Sequence, residues 1–169
     1  MHDVAKRCAE IAESKGFDRC TWENLLTKLM LVITEIDETC EAMQQTDTRA
    51  FSDDYGEEMA DIAIRMMVMI ETLWPDWCVA RIQNRRLVRP NPFQIPEVML
   101  WPMIRWARKA TEYWRKEQRT DTQQCLELFL LELWRLSDRL NIDLDVHIQV
   151  KMTKNSERPI LNGKKRTEG

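Results

Sequence analysis

One segment, from about Tyr55 to Leu73, constrains the fold more than any other because it is apolar around nearly its whole circumference. Its apolar residues are Ala60, Ile62, Ala63, Ile64, Met66, Met67, Val68, Met69 and Ile70. A helix without a polar face lies in the interior of a protein. The sequence therefore predicts a buried helix with the rest of the chain packed around it.

The composition favours helices over sheets throughout the chain. Only four of the 169 residues are glycine, while Leu, Met, Glu, Lys, Arg and Ala are abundant. A chain of this length supports one domain with a substantial core, here residues 1–169. The periodicity predicts helices over about 4–14, 22–45, 55–73, 98–118, 122–140 and 143–155, with a short one near 77–86. We therefore expect an all-α helical bundle.

Nothing in the sequence indicates a membrane or an oxidising compartment. The chain has no run of about 18 apolar residues and no signal-peptide pattern at its start. Its five cysteines are widely spaced and form no C-x-x-C motif, which is typical of small buried residues in a reducing compartment. The net charge of −3 demands no nucleic-acid partner. We expect a soluble, cytoplasmic protein.

Two pairs of carboxylates stand on consecutive predicted helices: Glu35 and Glu38 on the first, Glu58 and Asp61 on the next. Within each pair the spacing of three places both side chains on one face. Glu35 and Glu38 share their face with Lys28 and avoid both the apolar stripe and the most polar face. If the two helices face each other, four acids surround one small volume.

Four neighbouring carboxylates repel one another, and a hard divalent cation offsets this cost. The chain contains only His2 and His147, neither in a Glu-x-x-His motif. This pattern argues against zinc and against a carboxylate-bridged di-iron centre. We therefore predict that Glu35, Glu38, Glu58 and Asp61 bind Mg²⁺, with Mn²⁺ as the alternative.

Positively charged side chains near the C-terminus could bind the anion that such a metal site needs. Lys151 and Asn155 lie one helical turn apart, and Arg158 follows. Their donors suit phosphate and ribose oxygens, although a basic helix end that complements the helix dipole explains them equally well. Arg65, four residues after Asp61, lies on the same helical face as that acid.

These motifs together resemble the MazG-like, all-α nucleoside triphosphate pyrophosphohydrolases. The similar segments are Ile11 to Phe17, Thr21 to Leu25, Glu35 to Glu38, Glu58 to Asp61, Asn141 to Leu144, the K-M-x-x-N-x-x-R-P run from Lys151 to Pro159, and Gly163 to Lys165. The resemblance therefore follows the order of motifs along the whole chain. It differs from short family members between about 75 and 134, where a helical insertion rich in Trp and Arg intervenes.

The resemblance implies Mg²⁺-dependent hydrolysis of a nucleoside or deoxynucleoside triphosphate between the α and β phosphorus atoms. Glu38 is then the acid expected to orient or deprotonate the attacking water. The expected substrate-binding residues are Lys151, Asn155, Arg158, Arg65, Lys28 and Trp22, with core packing as the other interpretation of Trp22. The resemblance also implies a homodimer or homotetramer.

The insertion leaves alternatives open. It could lengthen the bundle, form a subunit interface or cover the nucleotide. Its clustered Arg and Trp side chains also suit a different function, that of a non-catalytic helical module that binds nucleic acid or a protein partner. We expect residues 164–169 to form a disordered tail.

Overall fold

The computed structural model describes residues 1–45, 53–77 and 96–160, and within these ranges the chain is entirely helical. The helices are α1 (His2–Ser14), α2 (Leu25–Gln45), α3 (Asp53–Leu73), α4 (Pro96–Arg115), α5 (Arg119–Leu140) and α6 (Leu144–Glu157). The prediction of an all-α fold is confirmed. The short helix predicted near 77–86 and the tail predicted at 164–169 fall largely or wholly outside the described residues.

Helix α3 is the centre of the fold, since it packs against α1, α2, α5 and α6. Its residues Met59, Ile62, Met66, Met67 and Ile70 are completely buried. This burial confirms the interior position predicted from its apolar circumference. Every helix that packs on α3 gains an apolar partner surface, so α3 sets the positions of the others.

Helix α2 begins three residues later than predicted, at Leu25. The backbone N–H of Thr21 donates to Oδ1 of Asn24, and Oγ1 of Thr21 accepts from the N–H of Asn24. These reciprocal bonds resemble a capping box, with Asn in place of Glu. They hold residues 22–24 as a turn that precedes the regular helix.

Helices α4 and α5 form a hairpin and pack against each other. Helix α5 is the more buried of the two, with Leu126, Phe129, Leu130 and Leu133 fully inside the core. Helix α4 ends at Arg115, before the predicted residue 118, because Glu117 adopts a positive φ of 57° that helical residues avoid.

The side chain of Asp143 caps α6 by accepting a 3.1 Å hydrogen bond from the N–H of Val146. Helix α6 packs on α3 and buries Leu144, Ile148, Lys151 and Met152. A lysine among three apolar residues is unusual at a buried position and requires a partner. No described helix is both long enough and apolar enough to cross a lipid bilayer.

Candidate metal and anion site

Helices α2 and α3 run antiparallel and bring their acids together. Glu35 contacts Arg65 near the middle of α3, while Glu38, one turn further along α2, lies beside Glu58, nearer the start of α3. Glu35, Glu38 and Glu58 each offer one carboxylate oxygen, and these oxygens all lie within 4.8 Å of one another. We call these three residues the acid cluster.

The acid cluster contains three of the four predicted metal ligands. The fourth, Asp61, points its Oδ2 atom at Nζ of Lys151, 2.6 Å away, and its oxygens are not part of the cluster. Asp61 remains close enough to raise the pKa of both Glu35 and Glu58 through charge repulsion. It therefore belongs to the electrostatic surroundings of the cluster even though Lys151 is its direct partner.

Burial disfavours the charged forms of Glu35 and Glu58. Desolvation is the largest cause raising the pKa of Glu35; Arg65 opposes it, and the charges of Asp61 and Glu38 add to it. Desolvation also raises the pKa of Glu58, against the opposing charge of Lys151. A divalent cation supplies the missing positive charge, and carboxylate oxygens are the donors that Mg²⁺ and Mn²⁺ prefer. The residues present therefore fit such an ion.

Two basic side chains already neutralise acids at this site. Arg65 places Nε 2.6 Å and a terminal guanidinium nitrogen 2.5 Å from the same oxygen of Glu35, Oε1. Lys151, which is 7 % exposed, pairs with Asp61 and lies 3.7 Å from a carboxylate oxygen of Glu57. Burial alone would lower the pKa of Lys151, but the bond to Asp61 and the surrounding acids raise it.

Glu57 is a member of the site that the sequence analysis missed. Its carboxylate accepts from Lys154 and lies near Lys151, and its pKa is lowered mainly by the hydrogen bond from Lys154. Glu57 precedes Glu58 directly, so an acidic dipeptide opening a buried helix was the available signal. Its partners come from α6, nearly a hundred residues later, which sequence spacing does not predict.

A cleft of about 280 Å³ opens beside these ion pairs, lined by residues of α1, the loop after it, α2, α3 and α6. Its apolar lining includes Ile11, Phe17, Leu31, Ile64, Val68 and Met152. Its polar lining consists of Lys15, Asp18, Lys28, Asp61, Arg65, Asn155 and Arg158. Asp61 and Arg65 belong both to the cleft wall and to the ion pairs, so the cleft and the acid cluster are contiguous.

Four of the six predicted substrate-binding residues line this cleft: Lys28, Arg65, Asn155 and Arg158. Lys151 lies beneath it, buried against Asp61. Lys15 is a further cationic side chain in the cleft, and it was not among the predicted substrate-binding residues. The cleft therefore combines an apolar floor with several donors, a mixture typical of sites for small charged ligands.

Trp22 does not line the cleft, and its contacts match the alternative interpretation of core packing. Its ring packs 6.5 Å from that of Trp74 and 6.3 Å from that of Trp114, and its carbonyl accepts a 2.7 Å hydrogen bond from Nε1 of Trp114. The guanidinium of Arg119 lies over its face. Aromatic packing of the turn before α2 against Trp74 and the α4–α5 hairpin therefore explains this residue.

No cysteine belongs to the acid cluster among the described residues, although Cys8 and Cys20 line the cleft. Cys8, Cys20, Cys40 and Cys125 are free thiols, and Cys78 lies outside the described residues. Burial raises the pKa of Cys8 and of Cys20 to about 12, so both remain protonated at neutral pH. A protonated thiol is a poor metal ligand and a poor nucleophile.

The chain matches no protein-family model, no curated protein and no solved structure at a significant level.

Proposed function

We propose that this protein is a divalent-cation-dependent pyrophosphohydrolase of nucleoside or deoxynucleoside triphosphates. Water would add across the anhydride between the α and β phosphorus atoms, giving the nucleoside monophosphate and pyrophosphate. The observation that carries the proposal is the convergence of three carboxylate oxygens within 4.8 Å next to a cleft lined by Lys28, Arg65, Asn155 and Arg158. The order of the MazG-like motifs along the chain supports the same activity.

The acid cluster is the proposed site for Mg²⁺, or Mn²⁺, with Asp61 as the fourth acid at its edge. When bound, the ion would neutralise phosphate charge and acidify water. Glu38 is the exposed member of the cluster. Because solvent reaches it, Glu38 is the carboxylate that we assign to orienting and deprotonating the attacking water.

The cleft residues have complementary roles in this proposal. Arg65, Arg158 and Lys28 supply positive charge for the phosphates, and Asn155 offers an amide to phosphate or sugar oxygens. Lys151 holds Asp61 in place from below. The apolar floor, which includes Ile64 and Val68, is the surface left for the nucleoside.

The test is pyrophosphate release from a panel of triphosphates with Mg²⁺. Glu38→Gln and Glu58→Gln should each reduce turnover by about a hundredfold or more, the scale expected for general-base and metal-site losses. Asp37→Asn is the matched control because Asp37 is an exposed acid on the same helix and lies outside the acid cluster. Wild-type-like turnover by both cluster variants would refute the proposal.

A homodimer or homotetramer belongs to the same proposal. The exposed apolar residues Met30, Trp101, Val146 and Val150 offer surface for subunit contacts. Sedimentation velocity tests this, and a single monomeric species at micromolar concentration would contradict it.

One observation favours the second candidate function, a helical module that binds single-stranded nucleic acid. Trp101 is 66 % exposed and shares one face of α4 with exposed Arg105 and Arg108 at helical spacing. An exposed ring flanked by guanidinium groups can stack on bases. Salt-sensitive filter binding of an oligonucleotide, lost in Trp101→Ala and accompanied by no triphosphate turnover, would favour this function over hydrolysis.

A further inference from the structure

Arg65 occupies a position that links the acid cluster to the cleft. Two of its nitrogens converge on Oε1 of Glu35, at 2.6 Å and 2.5 Å, and Glu35 is only 6 % exposed. The Arg65 side chain itself is 42 % exposed and lines the cleft wall. The same guanidinium can therefore reach a buried metal ligand at one side and a bound anion at the other.

The contact with Glu35 conflicts with metal binding. The hydrogen bond from Nε and the ion pair with the terminal nitrogen both fall on Oε1, so they occupy one of the two oxygens with which Glu35 could bind a divalent ion. A guanidinium in direct contact with a ligand also repels a doubly charged cation bound nearby. The arrangement is favourable without metal, because Arg65 offsets the burial of the Glu35 charge.

We propose that Arg65 is displaced by the metal and then binds the nucleotide. In the structure Arg65 contacts and neutralises Glu35. The divalent cation takes over this neutralisation, and the released guanidinium turns into the cleft to bind phosphate oxygens. Metal and nucleotide binding are thereby coupled through one side chain. This inference rests on the proposed function and adds a mechanism that regulates its site.

The other basic residues nearby do not have this double position. Lys151 is buried, and its closest partner, Asp61, is not a member of the acid cluster. Lys28 lines the cleft but forms no ion pair with Glu35, Glu38 or Glu58 among the described residues. Removal of the Arg65 side chain should therefore strengthen metal binding and weaken the effect of metal on nucleotide binding.

The first experiment measures Mn²⁺ binding to the nucleotide-free protein by electron paramagnetic resonance and calorimetry. Arg65→Met should bind Mn²⁺ about tenfold or more tightly than wild type, a coupling of ordinary size, because the competing cation is gone. Arg65→Gln should change the affinity in the same direction. Lys28→Met is the matched control, and its Mn²⁺ affinity should stay within about threefold of wild type.

The second experiment measures binding of an α,β-methylene triphosphate analogue, which cannot be cleaved at the proposed bond, with and without Mn²⁺. Mn²⁺ should strengthen analogue binding to wild type by about tenfold more than to Arg65→Met. Chelation of Mn²⁺ by the analogue is common to both proteins and cancels in this comparison. Circular dichroism confirms that each variant is folded.

The outcomes distinguish this inference from the proposed function. Suppose that wild type binds Mn²⁺ and releases pyrophosphate, while folded Arg65→Met and Arg65→Gln bind Mn²⁺ no more tightly than wild type. This result overturns the role of Arg65 and leaves the proposed function standing. A wild-type protein that binds no Mn²⁺ at millimolar concentration overturns both. Tighter Mn²⁺ binding with weaker analogue binding in the Arg65 variants supports the exchange.

Discussion

Nζ of Lys151 lies 2.6 Å from Oδ2 of Asp61, and this ion pair joins α6 to α3 directly beside the acid cluster. Lys151 is buried, and Glu57 and Glu58 add to the negative charge around it. The pair therefore has two consequences. It holds α6 against the central helix, and it keeps Asp61 oriented at the edge of the proposed metal site.

Removing this lysine should destabilise the fold. Lys151→Met keeps most of the side-chain volume but leaves Asp61 without its partner, so we expect a loss of about 1–3 kcal/mol in the free energy of unfolding, measured in urea. Lys154→Met is the control on the same helix, since Lys154 pairs with Glu57 at the surface and should cost less than about 1 kcal/mol. Equal losses of unfolding free energy in the two variants would contradict the conclusion that the buried Lys151 stabilises the fold more than the exposed Lys154.

The raised pKa of Glu58 predicts a dependence of stability on pH in the metal-free protein. A carboxyl whose pKa is higher in the folded state contributes its full stability below the unfolded value, about 4.3, and loses that contribution as pH rises through the folded value. Relative to Glu58→Gln, wild type should therefore become less stable as pH increases from about 4.5 to 7. Urea unfolding at several pH values in EDTA measures the difference.

Saturating Mg²⁺ should weaken or reverse this trend, because the ion stabilises the ionised carboxylates in the folded state. The same ion should leave the stability of Glu58→Gln nearly unchanged. The free energies of unfolding of wild type and Glu58→Gln could instead change in parallel with pH, both with and without Mg²⁺. That result would show that burial of Glu58 has no energetic consequence.

Substitution of Trp22, which belongs to an aromatic cluster, should lower the stability of the protein and leave nucleotide binding unchanged. Trp22→Phe shrinks a ring that packs against Trp74 and Trp114, so we expect a loss of about 1–2 kcal/mol in unfolding free energy. Because Trp22 does not line the cleft, the affinity of the Trp22→Phe protein for the α,β-methylene analogue should stay within about twofold of wild type. Weaker analogue binding in a fully stable Trp22→Phe protein would restore the role predicted from the sequence.

Gly56 allows α3 and α6 to approach closely. A Cβ atom at this position would overlap the imidazole ring of His147, so Gly56→Ala must displace that ring. We expect a net loss of about 1 kcal/mol, the overpacking cost less the better helix propensity of alanine.

The His147→Ala background removes the obstacle at Gly56. There the Gly56→Ala substitution should instead stabilise the protein, by up to about 1 kcal/mol. The measurement is a double-mutant cycle in urea, and the same sign of the Gly56→Ala effect in both backgrounds would refute the contact.

Local patterns predicted most of the fold and the helical faces on which the acids lie. The apolar circumference of α3 predicted its burial, and the spacing of three predicted that Glu35 and Glu38 share a face. Helix ends were less well predicted: the turn formed by Thr21 and Asn24 delays α2, and the positive φ of Glu117 follows the end of α4. Such ends depend on a few hydrogen bonds and dihedral angles that hydrophobic periodicity does not encode.

The partners of the acids could not be predicted in the same way. Asp61 appeared equivalent to Glu58 in sequence, yet Asp61 pairs with Lys151 while Glu58 joins the cluster. The sequence allowed Trp22 to stack on a nucleotide base, yet its ring packs against Trp114 and Arg119 of the α4–α5 hairpin. In both cases the deciding contact comes from a segment some ninety residues away.

The sequence by itself determined the helical class, the buried central helix and the existence of two acid pairs, because these follow from residue type and a period of 3.6. Only the tertiary structure decided which acids share a volume, which are neutralised by Arg65 and Lys151, and which basic residues line a cleft. Ion pairs depend on distance in space, and the packing of α2 and α6 against α3 sets those distances.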